Sequence, residues 1–248
     1  MARNADVTIL PDPAALAQAA AERVAAVLAR ALARAGDAHL ALAGGSTPRA
    51  VNALLSAEPL RRAVDWRRVV FWFGDERCVS PDDDESNYKM NRETLLEPLG
   101  IPAAQVRRMR GEDEPHAAAA AYDALLQREL GELPRLDLIQ LGMGPDGHTA
   151  SLFPGTLGTI DEAKRCVANF VPKFDRWRLT LTPRTINAAR EVMITAGGAE
   201  KADALHGVLD GPSQPALYPS QIVHPTDGEL SWLVDAAAAS KLAHGAGK

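Results

Sequence analysis

The sequence predicts an α/β fold: a doubly wound, mostly parallel sheet with helices on both faces and a small antiparallel β excursion. Three observations carry this. Four segments, HLALAGG at 39–45, VVFWFGDE at 69–76, LDLIQLGMG at 136–144 and EVMITAGG at 191–198, are short apolar runs that reach a glycine. Hydrophobicity that is continuous rather than alternating over a strand's length belongs to strands covered on both faces. Helical patterns lie between them, at 48–56, 86–96, 113–130 and 201–209, and alternating strands and helices imply parallel pairing through crossovers. Finally, CVANFVPKFDRWRLTLT at 166–182 sets two β-type stretches around a charged turn containing Pro172, which suits a local antiparallel excursion near the carboxyl edge of the sheet.

Taken in chain order, VTIL at 7–10 reads as an outer strand. The alanine-rich run from Pro13 to Ala35 is interrupted by Glu22, Arg23, Arg30 and Arg34, so it reads as a soluble helix rather than a membrane span. The run at 39–45 opens into GGSTPRA, where Ser46 or Thr47 can cap the next helix and Pro48 fits its first turn. The run at 69–76 opens into a charged loop whose acids, Asp82 to Glu85, read as solvated surface rather than a metal site. Ser86 reads as the cap of a helix beginning at Asn87, and LSWLVD at 230–235 as a further outer strand. No repeat, long linker or low-complexity tract marks a boundary, so one domain over residues 1–248 is expected.

A net charge of −5 gives no general attraction for nucleic acid or an anionic membrane, so an anionic ligand must be held by a local cluster of cations. The two cysteines, Cys78 and Cys166, have neither metal-ligand nor redox spacing, which fits a reducing cytoplasm. The opening residues, MARNADVTIL, lack the apolar core of a signal peptide.

In open α/β sheets, ligands bind in the crevice at the carboxyl ends of the strands, and the unusual residues of this chain gather there. Gly44 and Gly45 let the backbone approach a ligand, and the N–H groups, hydroxyls and helix dipole at Ser46 and Thr47 suit a phosphate; the alternative is a well-capped turn. Neither a dinucleotide fingerprint nor a Walker loop is present. Asp75, Glu76 and Arg77 follow directly from a buried strand. In LIQLGMGPDGHTASLF, His148 is a general-base candidate with Asp146 two residues away. Gly142, Gly144 and Gly147 can leave N–H groups free for an anion. Ser151 lacks the G-x-S-x-G surroundings of a nucleophile. Lys201, after two glycines, stands unfavourably at a helix start unless an anion sits there; the alternative is a surface lysine turned away.

Together, and in this order, AGGSTPR, FGDERCV, SNY and GMGPDGHTASLFP resemble the 6-phosphogluconolactonase family, which is grouped with glucosamine-6-phosphate isomerases and deaminases. The resemblance implies a doubly wound α/β sheet and hydrolysis of 6-phospho-D-glucono-1,5-lactone to 6-phosphogluconate in the oxidative pentose phosphate pathway. It makes His148 the general base, with Asp75 and Asp146 organising the centre. The phosphate would lie against Gly44, Gly45, Ser46 and Thr47, with Arg77, Lys201 and Arg178 as cationic partners; Arg176 competes with Arg178 for the last position. No cofactor or metal is expected, and His116, His206, His224 and His244 read as surface histidines. The expected partner is a small phosphorylated sugar lactone, with no nucleic acid and no membrane, bound by a monomer or small homo-oligomer. Two alternatives stand beside this. An amino-sugar phosphate deaminase/isomerase carries an acid five residues after the histidine, where this chain has Phe153. A non-catalytic phosphosugar sensor usually accompanies a DNA-reading helix, and no basic recognition helix is visible.

Overall fold

The computed structural model describes residues 6–159 and 163–243. Its strands are β1 (Asp6–Leu10), β2 (Ala38–Leu42), β3 (Val69–Phe73), β4 (Asp75–Arg77), β5 (Leu138–Gly142), β6 (Cys166–Val171), β7 (Arg176–Leu181), β8 (Glu191–Ala196) and β9 (Glu229–Asp235). Six of them form one sheet in the order β1-β9-β8-β5-β2-β3, with every pair parallel. The other three form an antiparallel sheet, β4-β7-β6. This is the doubly wound arrangement with an antiparallel excursion that the apolar runs imply, and the excursion lies at 166–182 as expected.

The strands form where the sequence is apolar on both faces: every residue of β8 is buried. On one side, the helix Pro13–Ala35 packs against β2, β5 and β9 through Leu16, Ala20, Val24 and Leu28, all fully buried. Asp12 caps its start by accepting from the Ala15 N–H, and Gly36 ends it in the left-handed region. Its charges face outward or pair: Arg23 and Arg30 both reach the buried Glu191. The helix Pro115–Leu130 packs against β6 and β7 and plants the Tyr122 hydroxyl on β3, where it accepts from the Phe73 N–H at 2.9 Å. Among the described residues no helix is long and apolar enough to cross a membrane.

Two elements differ from the sequence expectation. The run at 69–76 is not one strand. The Gly74 N–H donates to Leu42 O of the parallel sheet at 2.9 Å, while Gly74 O accepts from the Leu181 N–H at 2.9 Å. At that residue the chain is handed from one sheet to the other, because β4 finds its partners on β7 rather than on β2. The helical pattern at 86–96 is a helix, Asn87–Asn91, that continues as a π turn, Arg92–Leu96, and a last turn, Glu97–Leu99.

The topology places the site. From β2 the chain crosses to β3 on one side, whereas from β5 it crosses to β8 on the other. The adjacent carboxyl ends of β2 and β5 therefore diverge and open a crevice, the usual ligand position of doubly wound sheets.

Candidate active site

A cavity of about 220 Å³ occupies that crevice. Its walls are supplied by five strands or the loops that follow them. Gly44, Gly45, Ser46 and Thr47 follow β2; Asp75 and Arg77 belong to β4 and Arg178 to β7; His148 follows β5; Lys201 follows β8. Residues up to 157 positions apart in the chain (Gly44 and Lys201) thus meet in one cavity. Asp146 is the one sequence-predicted site residue off the cavity wall: it stands behind His148.

The imidazole is held from several sides. His148 Nδ1 lies 2.5 Å from Asp146 Oδ1, so the hydrogen-bond pattern assigns the Nδ1–H tautomer and leaves Nε2 as the proton acceptor. The ring stacks on Phe153, with centroids 4.0 Å apart and planes at 23°. Its edge also rests on Gly144, where a Cβ would come within 2.0 Å of Cε1. Gly144→Ala is accordingly expected to displace the ring and lower kcat about 100-fold, the usual cost of misplacing a reacting group by an ångström; steady-state kinetics on a protein with a wild-type circular dichroism spectrum checks this. Asp146 also accepts from Lys173 Nζ at 2.8 Å. Burial works against its charge, but the bonds from His148 and Lys173 outweigh that and hold the carboxyl well below the ordinary carboxylate range.

The two aspartates are separated by their contacts. Asp146 binds the imidazole. Asp75, only 8% exposed, is fixed by Ser151 Oγ, which donates to Oδ2 at 2.6 Å, and by Asn87 Nδ2, which donates to Oδ1 at 3.1 Å. Ser151 is therefore an internal donor to Asp75, with no access to solvent, which agrees with its lack of a nucleophile's surroundings. Its carbonyl in turn accepts from Asn169 Nδ2 at 2.8 Å, tying the His148 loop to β6 and holding Ala150 in the left-handed region at φ 47°. Glu76 points the other way and accepts from the N–H groups of Arg77, Asn87 and Tyr88, each at 2.7 Å. Burial nonetheless raises its carboxyl pKa, against the pull of these bonds. Ser86 caps the same helix as expected, accepting from the Lys89 N–H, and Asp82, Asp84 and Glu85 are exposed and paired with Arg92, Lys89 and Arg176.

Two local expectations are corrected. Neither Ser46 nor Thr47 caps the helix Ser46–Leu55: Gly45 is the cap, at φ 107°, and no side chain bonds there. Both residues sit inside the first turn, whose leading N–H groups have no intrahelical partner. Nor do Gly144 and Gly147 of the histidine loop offer free donors. The Gly144 N–H donates to His148 O and the Gly147 N–H to Gly144 O, while Gly142 is paired in the ladder opposite Thr195. The loop spends the N–H groups of Gly144 and Gly147 on its own turn.

The cavity wall also carries three cations, Arg77, Arg178 and Lys201. Arg77 and Arg178 are direct cross-strand partners on β4 and β7, a pairing of like charges that is unfavourable unless an anion lies between them. The Nε atom of each is buried without a hydrogen-bond partner among the described residues. Burial, then Arg77, lowers the pKa of Arg178, and burial lowers that of Lys201. Neither Arg178 nor Lys201 forms an ion pair among the described residues. Arg176 is turned outward to Glu85, at 2.9 Å, so Arg178 is the arginine at the cavity. Among the other histidines, His116 packs edge-on against Trp177, with centroids 4.8 Å apart, and His206 lies 3.4 Å from Asp210; His244 is outside the described residues. Among the described residues no group of three or more His, Cys, Asp or Glu is placed to hold a metal ion.

The family model of glucosamine-6-phosphate isomerases/6-phosphogluconolactonase matches residues 11–232. The chain belongs to this family. A 6-phosphogluconolactonase of Treponema pallidum is 44% identical over 177 residues, covering 70% of this chain and 73% of the relative. One from Nostoc sp. is 38% identical and covers 95% of this chain and 98% of its own length. Among solved structures, 6-phosphogluconolactonase from Trypanosoma cruzi superposes with a TM-score of 0.87 at 30% identity, covering 98% of each chain. Membership matches the motif order, but three supports of this family member's site act through contacts made across the fold: Asn87 and Ser151 lie within the motifs without their role being visible there, and Lys173 lies outside them. Lys173 meets Asp146 from 27 residues away, and no local pattern signals that.

Proposed function

We propose that this chain hydrolyses 6-phospho-D-glucono-1,5-lactone to 6-phosphogluconate, the lactone-opening step of the oxidative pentose phosphate pathway, with His148 as general base. The observation that carries the reading is the juxtaposition in one crevice of an Asp146-bound imidazole and a wall of three cations, Arg77, Arg178 and Lys201. The phosphate is seated by these cations and by the free N–H groups of the turn at Gly45 to Thr47, which leaves the lactone carbonyl toward His148. Nε2 takes a proton from water as its oxygen attacks the carbonyl carbon. The tetrahedral intermediate then expels the ring oxygen, which receives the proton back from the imidazolium. A δ-lactone is an activated ester, so a positioned base, worth about two to four powers of ten, accounts for much of the acceleration required. Asp146 keeps Nδ1 protonated and stabilises the transient imidazolium; Asp75 orients water or a sugar hydroxyl at the opposite side.

Phe153 favours this reading over amino-sugar deamination. At the position where that branch resembles an acid-bearing loop, this chain stacks an aromatic ring on the histidine, leaving no group there for the further proton transfers. The protein is read as one domain, working in the cytoplasm as a monomer or small homo-oligomer; its two free thiols, Cys78 and Cys166, agree with a reducing compartment. A pH-stat assay on freshly made phosphorylated δ-lactone tests the function, with glucosamine 6-phosphate as control. Acid release from the first without ammonia from the second is expected; ammonia release, or lactone opening at the spontaneous rate, would overturn it.

A further inference from the structure

The turn between β6 and β7, Pro172–Phe174, lies outside the motif loops in sequence and touches the histidine loop in space. Its register is closed by the Val171–Arg176 pair, and Asp175 completes the turn in the left-handed region at φ 50°. Two of its side chains meet the support of His148 from different directions. Lys173 Nζ donates to Asp146 Oδ2 at 2.8 Å, on the carboxylate whose other oxygen holds the imidazole. The Phe174 ring meets Phe153 edge-on, with centroids 5.6 Å apart and planes at 80°, and Phe153 is the ring stacked on His148. Phe174 also carries the Arg178 guanidinium over its face at 5.3 Å, yet remains 43% exposed.

We propose that this hairpin tip is a positioning element for the reaction: Lys173, through Asp146, sets the basicity and orientation of His148, and Phe174 braces the ring on which His148 stacks. The inference rests on the reading of His148 as base. Several charged groups surround the imidazole: Asp146 from its own loop, Lys173 and Arg178 from the hairpin, Asp75 and Arg77 from β4, and Lys201 from the loop after β8. Among the described residues, Asp146 alone bonds the ring, and Lys173 is the one other side chain bonded to Asp146. An unshared aspartate would hold the imidazolium proton more tightly than a base turning over near neutrality needs. Sharing its charge with an ammonium lowers that hold, and anchoring its second oxygen stops it rotating away from Nδ1.

The test compares wild type, Lys173→Met and Lys173→Arg in two measurements: the pH profile of kcat/KM and the NMR titration of the His148 ring. Lys173 is exposed, so neither substitution opens the core. In Lys173→Met both midpoints are expected to move up by about half a pH unit, the effect of removing one solvent-screened charge several ångströms away. Lys173→Arg, which keeps charge and donor, is expected to restore both. A midpoint in Lys173→Met that stays in place or falls, or a Lys173→Arg protein that behaves like Lys173→Met, overturns the assignment. The ring titration keeps the two readings apart. A His148→Ala protein of wild-type activity removes the base reading and this one with it, whereas an inactive His148→Ala beside an unmoved His148 titration in Lys173→Met removes only the role of the hairpin.

Discussion

His148→Ala is expected to lower kcat by about 100- to 10,000-fold while leaving KM within a few-fold of wild type. The asymmetry follows from the geometry. The imidazole is bonded to Asp146 and to none of the cavity's cations, so its loss leaves Arg77, Arg178 and Lys201 in place and removes only help that develops with the transition state. The substitution also empties a place between Gly144 and Phe153 without touching the sheet, and the circular dichroism spectrum should be unchanged. Residual activity above the spontaneous rate is expected, because binding still orients the lactone. Steady-state kinetics with the phosphorylated δ-lactone decides this, and a large rise in KM at constant kcat would place the histidine in binding instead.

Arg178→Met is expected to do the opposite, raising KM about 10- to 100-fold with a smaller change in kcat. A charge-assisted hydrogen bond to an anion contributes about 1.5–3 kcal/mol, which converts to that range. Arg178 is singled out because it faces Arg77 in register and has a buried Nε without a partner among the described residues. Both features are costly in an empty cavity and are offset when a phosphate arrives. Removing one arginine relieves their repulsion, so the variant is expected to melt at or above the wild-type temperature even as substrate binding weakens. Unphosphorylated glucono-δ-lactone supplies the control: its slower hydrolysis should be unaffected by Arg178→Met and abolished by His148→Ala. Equal losses on both lactones would show that Arg178 does not serve the phosphate.

Much of this was legible in the sequence because buried parallel strands need apolar runs and ligand loops need glycine, charge and hydroxyl residues at their ends. Those demands are local, and the loops holding Gly45, Asp75, His148 and Lys201 appear in the chain as they appear in the fold. What stayed hidden depends on distant partners. The break at Gly74 is decided by Thr180 and Leu181, on a strand about a hundred residues later, not by anything in VVFWFGDE. Ser46 and Thr47 look like caps because hydroxyls favour helix starts, yet the left-handed backbone at Gly45 moves the helix boundary one residue earlier and carries both into the first turn. The glycines of the histidine loop suggested spare N–H groups, but their turn closes on itself. Arg176 and Arg178 are two residues apart and share a face of β7, so the choice between them is a matter of register: Arg178 pairs with Arg77 on β4, whereas Arg176 lies beyond the end of β4, opposite Val171, and turns to Glu85.

In the proposed reaction the His148 imidazole, rather than any other group in the cavity, takes the proton from water. The most direct measurement is the NMR titration of its ring in the wild-type protein set beside the acid limb of kcat/KM under the same conditions. The two midpoints are expected to coincide, with the rate rising as the ring loses its proton. A rate that falls with pH around a midpoint well separated from that of the ring would contradict it.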